Sequence, residues 1–237
     1  EYEYACKAYK HSLSLINNSE LNEKTIFKTK TVWIGNPNNP DGKFINSETV
    51  KQWCLKNPET IIIIDESYSL VNIYFKSSEI LLKDFKNLII VKSLTKTYAI
   101  SGLRLGYILA DKNIIENLIS IPWRVNSLAL KCGLSIFENN KFYLFDCKNI
   151  VYQSKQLQNR IDALENFGVI ESDCNYFLVK IHHGSASDLK RFLIQTYGIL
   201  IRDAGNFRGL DNSFFRISTQ STEANNALIL ALTNWKP

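Results

Sequence analysis

The chain has 237 residues, 45% of them hydrophobic and 22% charged, which supports one large or two modest folded domains and excludes collagen, coiled coil and a largely disordered chain. Lys and Arg exceed Asp and Glu by 28 to 23 without forming a basic block, an argument against a dedicated nucleic-acid binder that still suits an anionic small ligand. No apolar stretch approaches the roughly 20 residues of a membrane span, and the opening Glu1-Tyr2-Glu3-Tyr4 lacks the basic-then-apolar form of a signal peptide.

Short runs rich in Val and Ile recur at residues 31–34, 60–64, 87–91 and 105–110. With helical spacing between them, they predict strands of a parallel sheet buried on both faces. Ser47 is expected to cap a helix of about ten residues that ends near Asn57-Pro58, where proline cannot continue it. Residues 111–165 read as mostly helical, with breaks near 121–123 and 139–140. Within them a connecting helix is expected over 143–167, capped by Gly168. From Asn175 the pattern alternates: strand 176–179, helix 187–196, strands 200–202 and 214–218, and a last helix from Glu223. The implied division is a large domain at 1–142, a connecting helix at 143–168 and a small α+β domain at 169–237.

Each of the first three strands is followed by a polar cluster: Asn36 to Gly42, then Asp65-Glu66-Ser67-Tyr68, then Ser93-Leu94-Thr95-Lys96. Open α/β sheets bind ligands beyond the carboxyl ends of their strands, so the three clusters can serve one ligand. Lys96 can form an imine with an aldehyde cofactor if its amine is partly deprotonated, whereas most lysines are solvated surface charges. Asp65 ends a run of isoleucines, a costly place for a carboxylate unless a cation such as a pyridinium receives it; capping of the next turn is the plainer reading. Tyr68 could reach the same ligand or simply fill space. The Asn- and Pro-rich loop is explained mostly by turn formation, but its rigid prolines would also aim an Asn amide at a phenolate oxygen.

The five cysteines, at 6, 54, 132, 147 and 174, are odd in number and without a C-x-x-C, which reads as a reducing, cytoplasmic setting with no disulfide framework or metal site. His11, His182 and His183 read as surface residues. The chain has no Met, not even at its first position, and is expected to be part of a longer protein.

Asn39-Pro40-Asp41-Gly42, Asp65-Glu66-Ser67-Tyr68, Ser93-Leu94-Thr95-Lys96 and Gly102-Leu103-Arg104-Leu105-Gly106-Tyr107, in this order and spacing, resemble the motifs of pyridoxal-phosphate enzymes of fold type I, aminotransferase class I/II. The resemblance implies an α/β fold, a three-layer α/β/α large domain with a mostly parallel sheet and a smaller C-terminal α+β domain. It implies pyridoxal 5'-phosphate as cofactor, with Lys96 as the Schiff-base lysine and Asp65 on the pyridine nitrogen. Asn39 and Tyr68 would meet the phenolic oxygen, and Ser93 and Arg104 the phosphate. A homodimer is implied as well. Asp41 departs from the family's usual Thr, and Ser101 from its Pro or Ala. A ring-stacking aromatic residue and a glycine-rich phosphate loop, which family members carry further toward the N-terminus, are not among these residues.

Further along, Gly198-Ile199-Leu200-Ile201-Arg202-Asp203 and Phe214-Phe215-Arg216-Ile217-Ser218 resemble the substrate-binding strands of the histidinol-phosphate aminotransferase and threonine-phosphate decarboxylase branch. Arg216 would then grip the substrate carboxylate, and Arg202 its phosphate or carboxylate; otherwise both are surface arginines on edge strands. Residues 122–129 and 202–211 resemble the decarboxylase of cobalamin biosynthesis more than the aminotransferase. Asn126 either faces the active site or caps a helix. The resemblance thus implies a decarboxylase acting on an amino acid phosphate, with an aminotransferase as the alternative and an inactive binding homologue as the third reading.

Overall fold

A computed structural model of the chain describes residues 2–68, 76–118, 122–139 and 147–237. The sequence-predicted break at 121, and the start of the expected connecting helix at 143–146, lie outside the described residues. The chain divides into two compact units, one from residues 1–36, 45–67 and 76–140, the other from 37–44, 68–75 and 141–237. No helix among the described residues is long and apolar enough to cross a membrane.

The first unit begins with a short helix, α1 (Tyr2–Ala8), and is built on β1 (Thr31–Gly35), β2 (Ile61–Asp65), β3 (Leu88–Ser93) and β4 (Gly106–Ala110), in that spatial order. β1, β2 and β3 are parallel, as the sequence predicts, so the sheet is mostly parallel. β4 is not: it runs antiparallel to β3, because residues 94–105 turn straight back, Leu94 N–H donating to the Leu105 carbonyl at 3.1 Å, instead of crossing over through a helix. Burial on both faces is also corrected. Ile62, Ile64, Leu88 and Ile90 are fully buried, while the alternate residues Ile61 and Ile63 are only partly so and Trp33 is exposed.

α2 (Ser47–Lys56) covers the buried face with Val50, Trp53 and Cys54. Its cap is Asn46, one residue before the expected Ser47, and Asn46 Oδ1 accepts from Thr49 N–H at 2.8 Å. Each such large apolar side chain contributes about 1.5–3 kcal/mol on burial. Burial also pushes the Cys54 thiol up to about 11 and keeps it protonated. After β4 come α3 (Lys112–Glu116) and α4 (Ser127–Glu138). Asn126 caps α4: its Oδ1 accepts from Ala129 N–H at 2.8 Å and its amide donates to the Leu103 carbonyl at 3.1 Å.

In the second unit β5 (Phe167–Ile170), β6 (Tyr176–Ile181), β8 (Phe214–Ser218) and β7 (Arg202–Asp203) form an antiparallel sheet in that spatial order. α5 (Cys147–Asp162), α6 (Ala186–Tyr197) and α7 (Thr222–Asn234) accompany it. α5 ends at Asp162 rather than at 167, because the Asp162 carboxylate accepts from Val169 N–H at 2.9 Å and Phe167 is drawn into the core beside Phe215 and Trp235. Gly168 therefore pairs with Lys180 inside β5 and caps nothing. The strand expected at 200–202 starts at Arg202, Leu200 being 73% exposed.

One ionic network fixes the edge of the first unit. Glu66, only 1% exposed, extends the buried Ile62–Ile64 face by the two-residue strand period. Its carboxylate accepts from Lys92 Nζ at 2.5 Å, Ser77 Oγ at 2.7 Å and Ser78 N–H at 2.8 Å. Lys92 also reaches Glu79 at 3.3 Å. Burial lowers the Lys92 pKa, but the hydrogen bond and charge of Glu66, with Glu79, outweigh it and hold it above the usual 10.5. Since the folded value lies above the unfolded one, this stabilisation is complete below about pH 10.5 and is lost as pH climbs through the raised value. Lys92→Met, which leaves Glu66 buried and unpaired, is expected to lower unfolding free energy by about 3–5 kcal/mol in urea melts. It is also expected to flatten the fall in stability above pH 10.5; a loss under about 1 kcal/mol would contradict the network's role.

Candidate active site

The predicted residues fall into two sets, one in each unit. Asp65, Ser93, Lys96 and Arg104 belong to the first; Asn39, Tyr68, Arg202 and Arg216 belong to the second.

In the first unit, parallel pairing places Asp65 opposite Val91, so Ser93 extends two residues past it on the adjacent strand. The half-buried Asp65 carboxylate has only neutral donors among the described residues. Oδ1 accepts from Ser67 N–H at 3.0 Å and Ser67 Oγ at 2.5 Å, and Oδ2 accepts from the Tyr2 hydroxyl at 2.6 Å. The Tyr2 ring stacks on Trp33 with centroids 4.7 Å apart. An acid at a strand end met only by neutral donors among the described residues suits a cationic ligand.

Lys96 sits in the tight return from β3 to β4. Leu94 and Thr95 are buried beneath the exposed Lys96, and the Ser93 and Thr95 hydroxyls share a short hydrogen bond. Tyr98 N–H bonds back to the Leu94 carbonyl at 3.2 Å, and Leu103 N–H to that of Ile100 at 3.0 Å. The return is strained: Ala99 and Arg104 have φ of 54° and 57°, a region costly for residues with a Cβ. Gly106 is required, since a Cβ there would lie 2.6 Å from the Lys92 carbonyl oxygen. Ser93, Lys96 and Arg104 are thus held by one rigid turn, with hydroxyls and a guanidinium of the kind that binds a phosphate.

In the second unit, residues 37–44 close on themselves. Asn38 N–H donates to the Lys43 carbonyl at 2.7 Å, Gly42 N–H to the Asn38 carbonyl at 2.9 Å, and the Asn38 amide to Asp41 Oδ1 at 2.7 Å. Asp41 therefore braces the loop. The loop is tied to the residues entering β6: the Tyr176 hydroxyl donates to the Asn38 carbonyl at 2.9 Å and Cys174 Sγ to that of Gly42 at 3.4 Å. Asn39 Oδ1 accepts from Arg216 at 2.6 Å. The Arg216 guanidinium lies over the Tyr176 ring at 5.6 Å, and the Tyr68 ring meets the same ring edge-on at 4.9 Å. Asn39, Tyr68 and Arg216 are thereby gathered around Tyr176.

Alternation along β8 sends Phe215 and Ile217 into the core and Arg216 to the opposite face. Antiparallel pairing sets Arg202 of β7 directly across from Arg216. Like charges so placed repel unless an anion lies between them. Arg202 donates to Asn206 at 2.9 Å and lies over the Phe207 ring. Arg216 Nε is buried without a hydrogen-bond partner among the described residues. An unsatisfied guanidinium donor beside a second guanidinium fits a carboxylate or phosphate.

Sequence reasoning did not assign a role to Tyr2, Glu66, Lys92 or Tyr176. The strand period carries the signal for Glu66, which shares a face with Ile62 and Ile64. Tyr176 is marked by no motif: apart from the neighbouring Cys174, its partners at 38, 68 and 216 are distant in sequence. Among the described residues no group of three His, Cys, Asp or Glu could hold a metal ion.

The family model described as aminotransferase class I and II matches residues 3–232. The chain is 32% identical over 209 residues to a histidinol-phosphate aminotransferase of Caldanaerobacter subterraneus subsp. tengcongensis, covering 87% of this chain and 57% of that protein. It is also 32% identical to a putative threonine-phosphate decarboxylase of the same organism, over 84% of this chain and 56% of that one. It therefore spans little more than half the length of these curated relatives. The crystal structure of L-threonine-O-3-phosphate decarboxylase from Porphyromonas gingivalis matches with a TM-score of 0.93 at 32% identity, covering 98% of this chain and 72% of that one.

Gly42 tests how tightly the Asn39 loop is held. It has φ of +71°, and an added Cβ would lie 1.9 Å from Ser172 Oγ and 3.2 Å from the Tyr176 carbonyl oxygen. Gly42→Ala is expected to cost about 1–3 kcal/mol in urea melts. Gly102→Ala, whose Cβ meets nothing within 4 Å, should stay within about 0.5 kcal/mol of the parent. Equal behaviour of the two variants would contradict a rigid loop.

Proposed function

The chain belongs to the aminotransferase class I and II family, and from that premise we propose a pyridoxal-phosphate-dependent enzyme acting on a phosphorylated amino acid, with decarboxylation of threonine phosphate as its reaction. Transamination of histidinol phosphate is the second reading, favoured by the equal identity to a relative of that name. The observation that carries the substrate class is the directly opposed Arg202–Arg216 pair with the unpartnered Arg216 Nε. We infer, as the family resemblance implies, a cytoplasmic homodimer.

The cofactor, when bound, supplies a ring that draws off the electrons released as a bond to the substrate α-carbon breaks. Lys96 would supply the amine that holds it and, once the substrate amine has taken its place, would move a proton at Nζ. Asp65 would accept a hydrogen bond from the protonated ring nitrogen and so keep that nitrogen charged. Ser93 and Arg104 hold the cofactor phosphate. Asn39, whose Oδ1 accepts from Arg216, and Tyr68 would meet the ring oxygen, as the family resemblance implies. Arg216 takes the substrate carboxylate and Arg202 the substrate phosphate, and the direction in which they hold the carboxylate selects the bond that breaks.

The test is direct. Protein incubated with pyridoxal phosphate should show the visible absorption of the tethered cofactor, and Lys96→Ala should lose it. Threonine phosphate should release carbon dioxide, and Arg202→Ala should lower kcat/KM about 10- to 100-fold, chiefly through KM, for the loss of about 1.5–3 kcal/mol of charge-assisted binding. Amino transfer to 2-oxoglutarate without carbon dioxide release would overturn the decarboxylase in favour of the second reading.

A further inference from the structure

We propose that Tyr176 is a positioning residue of this enzyme: its buried phenol fixes Asn39 through the neighbouring Asn38 carbonyl and supports Arg216 and Tyr68 with its ring. The proposal rests on the reading above, in which those three residues face cofactor and substrate.

Tyr176 opens β6 and is only 2% exposed. It pairs with Ser218 and Leu178 with Arg216, so the Tyr176 ring and the Arg216 guanidinium are diagonal neighbours on the same face of β6 and β8. Its backbone is held in turn, the Tyr176 carbonyl accepting from Ser172 Oγ at 2.8 Å. The ring carries the cation of Arg216 at 5.6 Å and the edge of Tyr68 at 4.9 Å. Its one polar atom is spent on the carbonyl of Asn38, at 2.9 Å, the residue before Asn39.

The phenol cannot act as an acid or base at working pH. Burial pushes its pKa well above the usual tyrosine range, with Cys174 and Tyr68 adding to the rise and Arg216 opposing it. It remains a donor throughout, which is what positioning needs. A residue serving only to fill the core would work equally well as phenylalanine, and that difference makes the role testable.

Tyr176→Phe keeps the ring and removes the hydroxyl's bond to the Asn38 carbonyl together with its hydrogen bond with Cys174. It is expected to lower kcat/KM for threonine phosphate about tenfold, the equivalent of one lost hydrogen bond. The pH at which the visible band of the bound cofactor titrates should move upward, because a loosened Asn39 donates less well to the ring oxygen. Tyr176→Leu, which also removes the support under Arg216, should raise KM further. Quenching of intrinsic fluorescence by added pyridoxal phosphate gives each variant's cofactor affinity independently of turnover, and Tyr176→Phe should bind it more weakly than the parent. If the parent neither binds the cofactor nor turns over threonine phosphate or histidinol phosphate, the underlying reading falls and this proposal with it. If the parent does both and Tyr176→Phe matches it in KM, band titration and affinity, the positioning role alone is overturned.

Discussion

The parallel pairing of β1, β2 and β3 is the constraint from which the rest of the first unit follows. Parallel strands all end at the same edge, so the residues that terminate them, Gly35, Asp65 and Ser93, are brought to one side of the sheet by register alone. The buried isoleucines and leucines of one face fix that register, because a slip of one residue would turn Ile62, Ile64, Leu88 and Ile90 outward. The same two-residue period carries Glu66 inward to Lys92 and leaves Asp65 on the other face. The ion pair that clamps the edge and the acid assigned to the cofactor thus come from consecutive residues with opposite roles. The polar network is costly to bury, but its loss from one partner alone would cost more.

In the second unit the organising element is a single aromatic ring. Antiparallel pairing puts Tyr176, Arg216 and Arg202 on one face of β6, β8 and β7, while Phe177, Phe215 and Ile217 of the same strands make the core. The loop bearing Asn39 is stapled to that face through Asn38 and Gly42. A sheet with one dry face and one polar face needs no insertion or special fold to become a binding surface; the alternation of the strands is sufficient.

What was legible in the sequence was what chemistry places locally. A lysine after Ser-Leu-Thr, an acid closing a run of isoleucines and an Asn-Pro-Asp-Gly turn each stand beside a strand end, and the mostly parallel sheet follows from the apolar runs between them. What escaped depended on tertiary choices. Residues 163–167 can continue a helix, but the docking of Phe167 against Phe215 and Trp235 turns 163–166 out of it and starts the strand at Phe167. Asn46 and Ser47 are both good caps, and the exit path of the preceding loop chooses between them. The direction of β4 is set by a turn in which Ala99 and Arg104 take strained conformations that no propensity favours. Glu66 with Lys92, and Tyr176 with its three partners, join residues far apart in sequence.

Reduction of the cofactor-loaded protein with borohydride, followed by peptide mass mapping, tests the central claim most directly. A pyridoxyl-phosphate addition on the peptide containing Lys96, and on no other, is the predicted result. Addition at a different lysine, or none at all, would contradict the assignment of this turn as the point where the cofactor is held.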